Sequence, residues 1–136
     1  MSKFEFVNHS CIILSHNNVS LAMDPWIEGS VFNNSWDLLT KTPEKSIESL
    51  KKSQFVWFSH EHPDHFNPPN LKIFSDKNNF LFQKTVDNRV IKFLSKISPN
   101  VKEIDFKENF QISENFSIQV IPFQYLDSMS IVRIEN

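Results

Sequence analysis

Four metal-capable side chains lie within six residues in the stretch Ser59-His60-Glu61-His62-Pro63-Asp64-His65-Phe66. It directly follows the apolar segment Phe55-Val56-Trp57-Phe58, whose composition predicts a buried strand. Two imidazoles at positions i and i+2 of an extended segment point to the same side of the chain. Because neutral imidazole and carboxylate groups bind zinc, iron and manganese, the stretch predicts a metal site for hydrolytic or redox chemistry.

The alternative is a polar surface loop whose histidines titrate freely near neutral pH. Surface loops rarely place three histidines and an aspartate so closely behind an apolar strand, which favours the metal site. Glu61 and Pro63 alternate with the candidate ligands, so we expect both to face away from the metal.

Composition limits the possible classes of protein. A chain of 136 residues forms at most one domain, and 40% apolar residues with 14 Phe and 3 Trp can bury a real core. A net charge of −2 argues against nucleic-acid binding through bulk charge. The sequence contains neither a secretion signal nor an apolar run of membrane-spanning length, so we expect a cytoplasmic protein without a membrane span.

Because the chain has one cysteine and one glycine, it can form neither an internal disulfide nor a glycine-rich phosphate loop. Cys11 lies in the apolar run Cys11-Ile12-Ile13-Leu14, where we expect it to be a core residue without a disulfide partner. With Gly29 as its only glycine, the chain cannot form a glycine-rich phosphate loop. Asparagine tolerates positive φ, so we expect turns at Asn17-Asn18, Asn33-Asn34 and Asn78-Asn79.

Hydrophobic periodicity gives a coarse order of elements. Strands are predicted over 4–7, 10–15, 19–23, 54–58, 79–83, 101–106, 110–113, 116–121 and 129–134. Helices are predicted over 43–52, near 70–74 with Pro68-Pro69 opening it, and over 86–97. The candidate metal site therefore lies between a strand and a helix. His16 is expected to be solvated in the turn that follows the second strand.

The stretch His60-Glu61-His62-Pro63-Asp64-His65 resembles the His-x-His-x-Asp-His motif of the metallo-β-lactamase fold superfamily. Two earlier segments, Asn8-His9-Ser10-Cys11 and Met23-Asp24-Pro25-Trp26, are similar to the Gly-His-Ser strand entry and the Asp-Pro-Trp motif of its ascorbate-6-phosphate-lactonase-like branch. Residues 24–36 and 126–132 resemble segments of CMP-N-acetylneuraminate hydroxylase-like members, the latter through an Asp-Ser strand.

The resemblance implies an α/β fold of the four-layer α+β type, the metallo-β-lactamase-like αβ/βα sandwich. A full sandwich needs on the order of 200 residues, so we expect residues 1–136 to form a single, incomplete domain, the first half of the fold. A lone half would expose an apolar sheet face and an unpaired edge. We therefore expect a truncated product, one half of a split protein whose partner chain completes the fold, or a homodimer that covers the exposed surface.

The resemblance also implies the site residues. His60 and His62 would bind one divalent ion, and Asp64 and His65 a second, with zinc expected first and iron or manganese as alternatives. Asp64 would also orient the attacking hydroxide, and His9 and Asp24 would support the ligands, although both also suit structural roles beside turns. No histidine follows residue 65, and Gln124 and Tyr125 stand about where many members place a third histidine.

The function implied is a hydrolase that acts through a metal-activated hydroxide on an ester, lactone or phosphodiester of a sugar, nucleotide-sugar or lipid-like small molecule. The alternative is a truncated, non-catalytic remnant or partner subunit with an incomplete metal site. A sugar- or nucleotide-binding module is a third possibility, with Trp26 or Trp36 lining its mouth rather than packing. Autonomous monooxygenase activity of the hydroxylase-like kind is not expected, because one cysteine cannot supply Rieske iron–sulfur ligands.

Overall fold

The computed structural model describes residues 1–123 and 127–135, which form two β-sheets and three short helices. The first sheet contains, in spatial and chain order, β1 (Ser2–Asn8), β2 (Cys11–His16), β3 (Val19–Met23), β4 (Phe55–Phe58), β5 (Asn79–Gln83) and β6 (Val101–Ile104). The second contains β7 (Asn109–Ser113), β8 (Phe116–Pro122) and β9 (Ser128–Ile134). The helices are α1 (Glu44–Lys51), a 3-10 helix (Pro68–Ile73) and α2 (Arg89–Leu94).

Strand direction in the first sheet changes once. Strands β1 to β3 are antiparallel, and the β2–β3 turn uses Asn17 and Asn18 with φ of 46° and 68°, as expected. Strands β3 to β6 are parallel, so each connection between them crosses over through a helix. The carboxyl ends of β3 and β4 therefore meet at one edge of the sheet, where ligands of open α/β sheets bind.

Two cores separate three layers. On one face of the first sheet, the helices pack apolar side chains against Val56 and Phe58. On the other face, Trp57 and its neighbours pack against the second sheet. Alternation along β4 thus supplies both cores. The described residues form a helix–sheet–sheet arrangement, which is three of the four layers of the expected αβ/βα sandwich.

The outward face of the second sheet is mixed rather than the apolar face expected for a half sandwich. Met129 and Ile131 are 51% and 39% exposed there, but Gln119 and Arg133 share the face and hydrogen-bond to each other at 3.0 Å. In the described part of the chain, β9 pairs only with β8 and so forms an edge. None of the described helices is long and apolar enough to cross a bilayer.

Two predicted helices differ from those observed. The predicted helix over 86–97 is confined to Arg89–Leu94. Asn88, with a left-handed φ of 55°, precedes its first turn, and after Leu94 backbone hydrogen bonds of the i→i−3 type occur. The segment near 70–74 is a 3-10 helix that begins at Pro68. Asn67 caps it, its side chain accepting a hydrogen bond from the amide of Asn70 at 3.3 Å.

The structure tests the expectations for His16, Asn78 and Cys11. The prediction that His16 is solvated was wrong: it is only 4% exposed, with Nδ1 3.0 Å from Ser2 Oγ. Asn78 forms no left-handed turn, and its amide instead donates to the carbonyl of Ser53 at 2.7 Å. Cys11 is fully buried as expected, and desolvation raises the pKa of its thiol far above the ordinary value.

Candidate metal centre

The centre begins where β3 and β4 end side by side. Asp24 follows β3 in a left-handed conformation, with φ of 46°, and its amide donates to the carbonyl of Trp57 at 3.0 Å. Its buried carboxylate accepts hydrogen bonds from the backbone amide and the hydroxyl of Ser59, both at 2.7 Å. Asp24 therefore fixes the first residue of the loop that carries the histidines.

Asp24 also determines which nitrogen of His65 carries a proton. His65 Nδ1 lies 3.0 Å from Asp24 Oδ2, and because a carboxylate only accepts, the proton is on Nδ1. Nε2 then faces Asp64 Oδ2 at 3.4 Å. Burial lowers the pKa of His65, but the hydrogen bond and charge of Asp24, with Asp64 and Asp127, raise it above the ordinary value overall.

Ser59 orients His60 in the same way. Its only hydroxyl proton is donated to Asp24, so Ser59 Oγ accepts from His60 Nδ1 at 2.9 Å. The Nε2 atom of His60 is consequently the one that can bind a metal. Burial, together with the neighbouring His65, lowers the pKa of His60, which favours the neutral, ligating imidazole.

The candidate ligands form two clusters. The first cluster consists of His60, His62 and Asp127, and the second cluster of His9, Asp64 and His65. Within each cluster, one ligand atom from every residue lies within 4.8 Å of the others. Imidazole nitrogen and carboxylate oxygen suit divalent ions of the zinc, iron and manganese type, so the clusters fit the metals that the motif implies.

Asp127 was not assigned a role from the sequence, although it belongs to the Asp-Ser segment that signals the resemblance. The backbone amide of Phe123, directly after β8, donates to the carbonyl of Asp127, directly before β9, at 3.0 Å. Ser128 donates its hydroxyl to the carbonyl of Ser59 at 2.5 Å, which fixes the start of β9 beside the end of β4. Gln124 and Tyr125, which stand about where many members place a third histidine, lie outside the described residues.

His9 approaches the centre from the turn between β1 and β2. It has a left-handed φ of 48°, and its Nε2 atom lies 3.0 Å from Asp64 Oδ2. The ring packs edge-on against Trp26 with centroids 5.1 Å apart. His9 therefore contacts one of the predicted ligands directly, whereas Asp24 contacts His65 and Ser59.

Comparison with known proteins assigns the chain to a family. A family model described as a beta-lactamase superfamily domain matches residues 3–131. The chain belongs to this superfamily. The cytidine monophosphate-N-acetylneuraminic acid hydroxylase of Xenopus laevis is 35% identical over 72 residues, covering 53% of this chain and 12% of that protein.

Two solved structures share the fold of this beta-lactamase superfamily domain. One, described as a possible metal-dependent hydrolase from Veillonella parvula, aligns with a TM-score of 0.74 and 14% identity over 98% of this chain and 59% of its own. The other is CmlA, a diiron β-hydroxylase from Streptomyces venezuelae, with a TM-score of 0.68 and 16% identity. The alignment covers 98% of this chain and 28% of CmlA. The chain thus spans only part of the length of each of these proteins.

A long loop between β3 and α1 covers one side of the centre. Its path is fixed by Asn70, whose Oδ1 accepts from the amides of Ile27 and Glu28 at 2.6 and 3.0 Å. Trp26 is 1% exposed and donates from Nε1 to the carbonyl of Gly29 at 3.0 Å. Trp26 is thus a packing residue of the superfamily domain and does not line its mouth.

Two exposed aromatic rings of the same loop stand beside the ligands. Phe32 and Trp36 are 39% and 52% exposed, and their ring centroids lie 5.1 Å apart. The ring centroid of Phe32 is 6.4 Å from that of His62, and Trp36 is 6.4 Å from His9. Both rings are thus exposed next to candidate ligands.

Replacing Ser59 with alanine tests the support of His60. The variant loses the oxygen that accepts from His60 Nδ1, so we expect metal affinity to fall by roughly 10–100-fold. Competition titration against a chromophoric chelator measures the change. Ser49→Ala, which removes an exposed hydroxyl of α1, serves as the matched control. Equal affinities of the Ser59 variant and the wild type would exclude this role of Ser59.

Proposed function

We propose that this chain is the metal-binding portion of a metal-dependent hydrolase. His60, His62, Asp64 and His65 hold one or two divalent ions, with zinc expected first and iron or manganese as alternatives. The observation that carries the proposal is the hydrogen-bond chain through Asp24 and Ser59, which directs Nε2 of both His60 and His65 toward the ligand side. Such outer hydrogen bonds are typical of histidines that bind catalytic metals.

The bound ions would supply Lewis acidity, lowering the pKa of a water molecule and polarising the substrate oxygen. The chain's own groups would place that water. Asp64 is buried, and its carboxylate has lone pairs beyond those facing His9 and His65, so it can accept a hydrogen bond from the water and orient it. Asp24 holds the proton of His65 on Nδ1, which keeps Nε2 available.

Two observations support a sugar, nucleotide-sugar or lipid-like substrate. Phe32 and Trp36 present exposed aromatic rings beside the ligands, and such rings pack well against apolar faces of small molecules. The sequence relative from Xenopus laevis is named for a nucleotide sugar, cytidine monophosphate-N-acetylneuraminic acid. The bond cleaved would be an ester, a lactone or a phosphodiester.

The test is hydrolysis of a panel of lactones, phosphodiesters and carboxylic esters by the metal-loaded protein, with Asp64→Ala as the variant. We expect metal-dependent turnover that falls at least about 100-fold in the variant, because the group that orients the attacking water is lost. Asp76→Ala, at an exposed aspartate before β5, should retain full activity. Turnover that survives in Asp64→Ala would contradict the assigned role.

The alternative is a non-catalytic remnant or partner subunit with an incomplete metal site. It is supported by the lengths of the relatives, since the chain covers 59% of the Veillonella protein and 12% of the Xenopus one. Metal content discriminates between the two functions. A wild-type chain that binds no zinc, iron or manganese would support the remnant and contradict the hydrolase.

A further inference from the structure

The motif leaves each metal ion short of ligands. It supplies His60 and His62 for one ion, and Asp64 and His65 for the other. Catalytic metal sites in proteins commonly use three protein ligands and keep a further position open. Because no histidine follows residue 65, any third ligand within this chain has to come from another residue type or from an earlier segment.

We propose that Asp127 and His9 are metal ligands, Asp127 completing the first cluster and His9 completing the second. Each ion would then be held by two imidazoles and one carboxylate, all from this chain. This inference rests on the proposed metal-dependent function and adds two ligands that lie outside the motif. A set of two histidines and one carboxylate with open positions is typical of iron(II) sites, and zinc and manganese also accept it.

The position of Asp127 is fixed from both sides. Its own carbonyl accepts a hydrogen bond from the amide of Phe123, and the hydroxyl of the next residue, Ser128, donates to the carbonyl of Ser59. Ser59 is the residue immediately before His60. Asp127 is therefore held beside the first cluster by the backbone of the metal loop itself, with its carboxylate within 4.8 Å of the ligand atoms of His60 and His62.

Two distances in the second cluster match the spacing of ligands around one ion, and the His9 and His65 ligand atoms lie within 4.8 Å of each other. Atoms bound at about 2.0–2.2 Å to the same ion lie roughly 3.0–3.6 Å apart in octahedral or tetrahedral arrangements. His9 Nε2 is 3.0 Å and His65 Nε2 is 3.4 Å from the same oxygen, Asp64 Oδ2. His9 is also held in place, by its turn and by the edge contact with Trp26.

A simpler role for His9 is to donate a hydrogen bond to Asp64. His9→Gln separates the two roles, since a glutamine amide can still donate a hydrogen bond but is a poor metal ligand. His9→Asn serves as a second variant because asparagine tolerates the positive φ of this position. For the first cluster, Asp127→Asn keeps the shape of the side chain and removes its charge.

The experiment is a titration of metal-free protein with cobalt(II), following the visible ligand-field bands and the number of ions bound. We expect about two ions on the wild type and about one tightly bound ion on His9→Gln, His9→Asn and Asp127→Asn. The affinity of the altered cluster should fall by more than the roughly 10–100-fold that loss of an outer partner costs. His16→Gln and Asp76→Asn are the matched controls, and circular dichroism checks folding.

Wild-type stoichiometry, affinity and spectrum in both His9 variants would overturn the assignment of His9, and the same result in Asp127→Asn would overturn that of Asp127. The result is independent of turnover. If the wild type binds two cobalt ions, the variants bind one, and no ester is hydrolysed, then the ligand assignment stands and the proposed hydrolase is contradicted.

Discussion

Replacing both His60 and His62 with alanine is expected to reduce the metal content from about two ions per chain to about one and to abolish hydrolysis. The two imidazoles are adjacent, with ring centroids 4.7 Å apart, and without them Asp127 is the first cluster's one remaining ligand. A single carboxylate does not retain a transition-metal ion against dialysis. Elemental mass spectrometry on purified, tag-free protein measures the ions retained.

His16→Gln is the control for loss of a histidine outside the centre, since His16 is buried against Ser2 at the far end of β2. Full metal content in the double variant would show that His60 and His62 are not ligands. Loss of both ions would mean that the second cluster depends on the first, as in a bridged pair. Absence of metal from the wild type as well would leave the motif on an incomplete scaffold.

Replacing Phe58 with alanine is expected to destabilise the chain by about 3–5 kcal/mol, the usual cost of removing a buried phenylalanine. Phe58 is fully buried, packs edge-on against Phe66 at 5.1 Å and lies 6.1 Å from Phe80. It belongs to β4, directly before the metal loop, and Phe66 ends that loop. The cavity would therefore loosen the loop at both of its ends as well as the core.

Urea denaturation followed by tryptophan fluorescence measures the loss in unfolding free energy. Phe4→Ala is the matched control, because Phe4 is 65% exposed on β1 and its loss should change stability by no more than about 0.5 kcal/mol. Equal midpoints for Phe58→Ala and Phe4→Ala would contradict the placement of Phe58 at the centre of the core.

Sequence reasoning named the candidate ligands that are neighbours in the chain. His60, His62, Asp64 and His65 follow one strand, so their spacing alone predicts that they point into one site. His9 was predicted only as a supporting residue, and Asp127 had no assigned role, because both reach the centre through tertiary contacts. The pairing of His9 with Asp64 spans 55 residues, a distance over which local pattern carries no information.

The order of strands and helices along the chain was also readable, since β4 and β5 are short apolar runs bounded by turn residues. Helix ends were less predictable. The apolar periodicity over 86–97 continues beyond the helix in both directions, but the left-handed backbone at Asn88 fixes where α2 begins. His16 was placed in solvent because its neighbours are polar, whereas its burial depends on Ser2 from the paired strand.

The bond between Ser128 and Ser59 joins residues 69 positions apart, and it is the contact that places Asp127 at the first cluster. We expect closure of such a long segment to come late in folding, because the entropy lost on closing it must be overcome before its contacts form. A nascent chain that has built only the six-stranded sheet would carry the complete histidine motif and yet lack the first cluster's carboxylate. Tight metal uptake at that cluster therefore reports the moment at which the second sheet docks.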